Sequence, residues 1–147
     1  MADDSFIDKS WPIVLTGIVT YFLGRWQERS AELSRRINTL TNLVEEMEDA
    51  ASKYWAAPAN DPHSTNLATK IKGRSLKIGT EISELNDDFW AFRFSSFEYL
   101  TRFRRAATDP PFEQADRQTD NARIGLIQRR ATELQTMIRR ARIKWLK

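Results

Sequence analysis

The 147-residue chain contains no cysteine, which excludes a disulfide framework. With a single histidine, His63, no Cys/His set spaced to hold zinc can be assembled either. Glycine and proline number five each, too few to punctuate many short elements, so long elements are expected. After Gly24 no run of β-branched residues alternates at period two between turn signals, which removes the strand signature. The phosphate-binding and nucleophile-elbow patterns G-x-x-x-x-G-K-[ST], G-x-G-x-x-G and G-x-S-x-G are missing. His63 stands in a turn after proline with no positioned partner, so general acid-base work has no base to use. Neither an enzyme nor a cofactor nor a metal is expected.

Against these absences stands one uncharged stretch, Ser10 to Gly24, SWPIVLTGIVTYFLG, bounded by Lys9 and Arg25. Ile13, Val14, Leu15, Ile18, Val19, Phe22 and Leu23 cover the whole circumference of a helix, whereas a helix in a soluble core keeps a polar face. The acidic residues ahead of the run and the lack of a small-x-small cleavage pattern argue against a signal peptide. Trp11 and Trp26 flank the run as interfacial anchors do, and Lys9 and Arg25 are long enough to reach headgroups. A transmembrane helix is therefore expected over residues 10–26. Trp11 to Trp26 is about 22 Å of helix, short against a hydrocarbon core of about 30 Å, so local thinning or association is expected with it. Thr16, Gly17, Thr20 and Gly24 gather on one helical face and predict close packing between copies. Arg25, Arg29, Arg35 and Arg36 follow the run and only Lys9 precedes it closely, which by the positive-inside rule puts residues 1–9 outside and residues 27–147 in the cytoplasm.

The remaining chain reads as helices. Leu33, Ile37, Leu40, Val44, Met47, Ala51 and Tyr54 recur at alternating steps of four and three, a heptad seam that runs straight out of the membrane. Pro58 ends it, and Asp61 with Pro62 reads as N-cap and first residue of the next helix. That helix carries Leu67, Ile71, Ile78, Ile82, Leu85, Phe89 and Phe92, with Gly73 and Gly79 beside a gap in the seam. Lys70, Lys72, Arg74 and Lys77 over the gap read first as a solvated face. An antiparallel return of matching length brings the chain back to the membrane surface near Phe94. TDPP at Thr108–Pro111 breaks the helix, the polar stretch FEQADRQTD follows, and a last seam runs through Ile124, Ile127, Ala131, Leu134, Ile138, Ala141 and Trp145. The fold class is all-α, an N-terminal transmembrane helix continuing into an antiparallel cytoplasmic bundle of three long helices.

Two further stretches carry candidate chemistry. Phe89 to Phe103 holds seven aromatic residues, interleaved with arginine. Phe89, Phe92, Phe97, Leu100 and Phe103 fit a bundle core, while Trp90, Phe94 and Tyr99 lie off that stripe and, with Arg102, Arg104 and Arg105, fit a membrane interface. At the C-terminus Arg139, Arg140, Arg142 and Lys144 form an anion-binding face that suits anionic lipid or nucleic acid phosphate equally, unless it is a solvated face whose cations complement the helix dipole.

With the apolar run, the following RWQERSAELSRRINTLTNLVEEM and the helical return in view, the chain resembles small bacterial proteins with one N-terminal span and a cytoplasmic helical domain. Such proteins are similar to membrane effectors of phage-defence systems. Three functions follow as expectations: a membrane-anchored helical interaction or oligomerisation module, a membrane-disrupting effector acting through the span, and a membrane-tethered nucleic-acid binder using the basic C-terminal helix. The expected partners are membrane lipid and a second copy or a cytoplasmic protein, with nucleic acid under the third reading.

Overall fold

The computed structural model describes residues 4–89 and 97–145, and of residues 4–13 and 143–145 the backbone alone. These form four helices, α1 (Asp4–Ala56), α2 (Ser64–Asp88), α3 (Phe97–Thr108) and α4 (Asn121–Trp145), with no strand among the described residues.

Polar contacts fix the directions. Arg36 on α1 pairs with Glu84 (3.0 Å) and Asp88 on α2, and Arg74 pairs with Glu46 at 2.6 Å, so α2 runs antiparallel to α1. The backbone N–H of Asp120 donates to the Trp55 carbonyl (3.0 Å) and the Gln135 amide to Glu45 (3.4 Å), so α4 is antiparallel too. Trp55 Nε1 donates to the Ala107 carbonyl at 2.9 Å, which puts the end of α3 beside the end of α1. The result is an up-down-up-down bundle in which α1 packs between α2 and α4, and α3 lies mainly on α4.

The seams make the core. Leu33, Ile37, Leu40, Val44, Met47, Ala51 and Tyr54 are buried, as are Ile71, Ile78, Ile82 and Leu85 on α2 and Ile127, Ala131, Leu134 and Ile138 on α4. At about 1.5–3 kcal/mol for each fully buried large aliphatic side chain, these residues are what holds the bundle.

Several expectations need correction. The first is the span: no helix among the described residues is long and apolar enough to cross a membrane. The uncharged run is fifteen residues between a lysine and an arginine, about 22 Å at 1.5 Å per residue, and it continues into the charged half of α1. What residues 14–24 form is an exposed apolar arm. The helix count is the second, four instead of three. Asn86, Asp87 and Asp88 have low helix propensity and set acids at a C-terminus where the dipole disfavours them. Phe89 then leaves the helix at φ −123°, ψ 76° with its side chain buried. Because α2 stops level with Arg36, no continuous helix reaches Arg25. Third, α2 starts at Ser64: the Asp61 carboxylate instead accepts the His63 N–H at 2.7 Å in a turn, and Pro62 precedes the helix.

Glycine at 79 has a packing reason. A Cβ there would lie 2.7 Å from Nη2 of Arg104, whose guanidinium crosses α2 to donate to the Ser75 carbonyl at 2.6 Å. Gly73 has open space around it, and α2 runs straight through both.

Candidate membrane-attachment surface

Of the 53 residues of α1, the bundle engages the part from Leu33 onward. Every residue from 14 to 29 is exposed. Within this arm Val14, Leu15, Ile18, Val19, Phe22, Leu23 and Trp26 are 44–66% exposed and cover one half of the helix, while the other half carries the uncharged Thr16, Gly17, Thr20, Tyr21 and Gly24. Polar groups on the arm are satisfied locally. The Thr20 hydroxyl donates to the Thr16 carbonyl one turn back at 2.8 Å, so the group carries its own acceptor into an apolar surrounding. Arg25 Nη1 donates to the Tyr21 hydroxyl at 3.0 Å, its guanidinium 5.8 Å from that ring's centroid. An aromatic ring and a cation thus close the apolar segment on the bundle side, the arrangement found at headgroup level. A Cβ at Gly17 or Gly24 would meet nothing within 4 Å, so neither glycine is required by packing inside this chain.

The root of the arm lies at the bundle end where α2 and α4 finish and α3 begins. On the last turns of α4, level with about residues 35–41 of α1 by the Asp120–Trp55 and Gln135–Glu45 contacts, Arg139 and Arg140 are exposed, Arg142 is half-buried, and the side chain of Lys144 lies outside the described residues. The cations at this end divide into two sets. Arg35 pairs with Glu32, Arg36 with Glu84 and Asp88, and Arg102 with Glu98. Arg36 is held above the ordinary arginine value, first by its hydrogen bond with Asp88 and, against the effect of burial, by the charges of Asp88, Glu81 and Glu84. Arg25, Arg29, Arg139 and Arg140 have no carboxylate within ion-pair distance among the described residues.

The aromatic segment sorts differently from the expected stripe. Trp90, Phe94 and Phe92 lie outside the described residues, as do the side chains of Trp11 and Ile13. Phe89, Leu100 and Phe103 are buried as the core reading has it, but Phe97, expected beside them, is 72% exposed. It is the first residue of α3, at the bundle end where the helix has little to pack against. Tyr99, expected at lipid, is half-buried against the core and lines a groove with Thr132, Thr136, Met137 and Arg140 of α4. Arg104, also expected at lipid, is half-buried and serves the α2 contact over Gly79. Arg102 stays exposed over the Tyr99 ring at 5.9 Å, and Arg105 is exposed.

The opposite end of the bundle holds a group that periodicity does not reveal. Arg117, in the stretch expected to be a polar linker, is 3% exposed. Its Nη1 donates to the carbonyls of Tyr54 and Ala57, both at 2.7 Å, and Nη2 to the Ser64 hydroxyl at 3.3 Å. The guanidinium lies 3.9 Å from the Tyr54 centroid and 5.3 Å from that of Trp55. The carbonyl end of α1 and two ring faces supply the negative potential for this cation. Arg123 also lies over the Trp55 ring, 4.2 Å from its centroid, and donates to the Asp109 and Pro110 carbonyls. Asp120 caps α4 through the Arg123 N–H at 2.9 Å. A cleft of about 280 Å³ beside this hub is lined by Tyr54, Ser64, Thr65, Glu113 and small neighbours. Its Ser64 hydroxyl donates to the Pro58 carbonyl at 3.2 Å and its Glu113 carboxylate pairs with Lys72 at 2.6 Å. The signal for the hub was faint: Arg117 is the lone base in FEQADRQTD, at no periodic position.

The acids of α1 serve the bundle surface. Glu46 pairs with Arg74 and Asp49 with Lys53 at 2.8 Å, while the half-buried Glu48 carboxyl is pushed up by burial, then by Glu45 and Asp49. Among the described residues no group of acids, histidines or cysteines is arranged to hold a metal ion. No protein-family model, curated protein or solved structure matches this chain.

Proposed function

We propose that the protein is a membrane-attached helical interaction module, in which the α1 arm enters a bilayer and holds the bundle at its cytoplasmic face. The observation that carries this is the exposure of seven large apolar side chains, Val14 to Trp26, on an arm with no charged residue between positions 14 and 24. Moving these half-exposed groups out of water is worth on the order of 7 kcal/mol at about 1 kcal/mol each. The other half of the arm carries Thr16, Gly17, Thr20, Tyr21 and Gly24, none of them charged, so no side of it presents the charged face that a soluble amphipathic helix keeps toward water. At about 22 Å the uncharged run crosses only where the bilayer thins around it, and otherwise ends within it. The arginines at the root, against Lys9 beyond the run, favour the cytoplasmic side for the bundle.

The heptad seams are buried within the chain, so association between copies is assigned to the Thr16, Gly17, Thr20 and Gly24 face of the arm, where the glycines have open space. Synthesis of the full chain with zwitterionic vesicles, followed by flotation and alkaline wash, tests the attachment. The wild type is expected to stay with the vesicles. Ile18→Arg and Phe22→Arg should each weaken insertion by roughly 2.5–3.5 kcal/mol, plus the lost apolar side chain. Recovery of the wild type as a detergent-free monomer that ignores vesicles would overturn the reading.

A further inference from the structure

The groove between α3 and α4 carries a cationic excess. It has a volume of about 420 Å³ and is lined on α4 by Arg129, Thr132, Thr136, Met137 and Arg140 and on α3 by Tyr99. These α4 positions recur at helical spacing, so they share one face of the helix. Met137 and the Tyr99 ring are half-buried against the core and make the groove apolar at its centre. Arg129 and Arg140 are exposed and stand at the two ends of the α4 wall, about 16 Å apart along the helix. Neither has a carboxylate within ion-pair distance among the described residues. Glu133, which also lines the groove, is held by Arg130 at 2.7 Å, and Glu98, next to Tyr99, is held by Arg102. Two other hollows lack this excess. In the cleft beside Arg117, Glu113 is paired with Lys72. In a groove of about 460 Å³ at the start of α2, Lys53 is paired with Asp49, and Lys70 shares the wall with Asp61.

We propose that the α3–α4 groove is a binding site for an elongated organic dianion, with an apolar body over Tyr99 and Met137 and a carboxylate or phosphate at each of Arg129 and Arg140. A guanidinium pairs with either group through two parallel hydrogen bonds, and no ion pair within the chain has to be broken for it. The volume lies in the range of small-molecule sites, which combine apolar walls with a few polar groups that fix orientation. Thr132 and Thr136 supply hydroxyls between the two arginines along α4, each able to donate and to accept. The separation of the arginines selects for length. A short dianion reaches one of them, and a long monoanion satisfies one and leaves the other in water. Membrane attachment of the arm plays no part in this binding.

The test uses the full chain in non-ionic micelles with isotope-labelled methionine methyl groups, read by NMR and referred to free ligand concentration. Met137 lines the groove and Met47 is fully buried, so the first reports binding and the second reports an intact fold. Decanedioate is expected to shift the Met137 signal saturably with an apparent Kd below about 1 mM. The bisphosphate of the same chain length is titrated beside it, and the tighter of the two names the anion the site prefers. Butanedioate, which is too short, and decanoate, which has one charge, should each bind at least about tenfold more weakly. Arg129→Gln and Arg140→Gln should each raise the Kd for decanedioate about tenfold and remove its advantage over decanoate. Arg139→Gln removes the same charge next to Arg140 but outside the lining, and should leave the Kd within about twofold. A Met137 signal unmoved by both long dianions up to about 10 mM overturns the site. Equal binding of decanoate to the wild type, or an equal loss in the Arg139 variant, overturns it as well.

Discussion

Arg117→Met is the substitution with the largest structural consequence outside the seams. Methionine retains much of the apolar stem and removes the guanidinium from a site that is 3% exposed. It strips the Tyr54 and Ala57 carbonyls of their 2.7 Å donors at the end of α1, where the helix itself provides none. Two hydrogen bonds to a charged group contribute about 1.5–3 kcal/mol each, and the contact with Tyr54 at 3.9 Å adds about 2 kcal/mol when desolvated. Against this, several kcal/mol of desolvation penalty disappears with the charge. The net expected loss is about 2–4 kcal/mol. For a domain of this size that lowers Tm by about 8–16 °C at ~4 °C per kcal/mol, readable by far-ultraviolet circular dichroism of the full chain in micelles. Arg117→Lys keeps the charge but not the fork that reaches both carbonyls and Ser64, so it should recover about half of the loss. A methionine variant melting within about 2 °C of wild type would refute the reasoning, because the favourable contacts would then only balance desolvation.

Leu40→Asp and Leu134→Asp, at fully buried seam positions, should each unfold the bundle, whereas Glu45→Ala, exposed and held by one 3.4 Å contact, should change stability by less than about 0.5 kcal/mol; urea titration of the three separates them. Glu48 has its folded pKa raised above the ordinary 4.5, so its protonated form favours folding below that value and the benefit is lost as pH rises through the folded pKa. Glu48→Gln should therefore stabilise at pH 7 and lose its advantage near pH 4, as measured by chemical denaturation at both. Gly79→Ala should gain about 0.5–1 kcal/mol of helix propensity in an Arg104→Ala background but less in wild type, where the new Cβ meets the guanidinium; a double-mutant cycle in thermal melts reads the difference. Gly17→Leu should weaken crosslinked oligomers in vesicles without reducing insertion, and unchanged crosslinking would exclude the small-residue face from association.

The sequence by itself determined the helical class and the core. A seam such as Leu33, Ile37, Leu40, Val44 buries one stripe whatever it packs against, because period and polarity are local properties of the helix. The apolar, uncharged stretch of the arm was legible for the same reason. Its role as a span was not, because length against the hydrocarbon decides that and the run is short. Even the end of α2 was written locally, in Asn86, Asp87 and Asp88, but the aromatic residues after it masked the break.

Tertiary structure alone decided the partners of the polar side chains. Arg104 and Arg117 carry the same charge as Arg105 and Arg129, yet one crosses α2 over Gly79 and another closes the end of α1. Their neighbours in sequence do not identify these acceptors, which are backbone carbonyls 29 and 60 or more residues away. The same holds for Phe97 and Tyr99, whose exposures are exchanged relative to the seam because α3 begins at the bundle's edge.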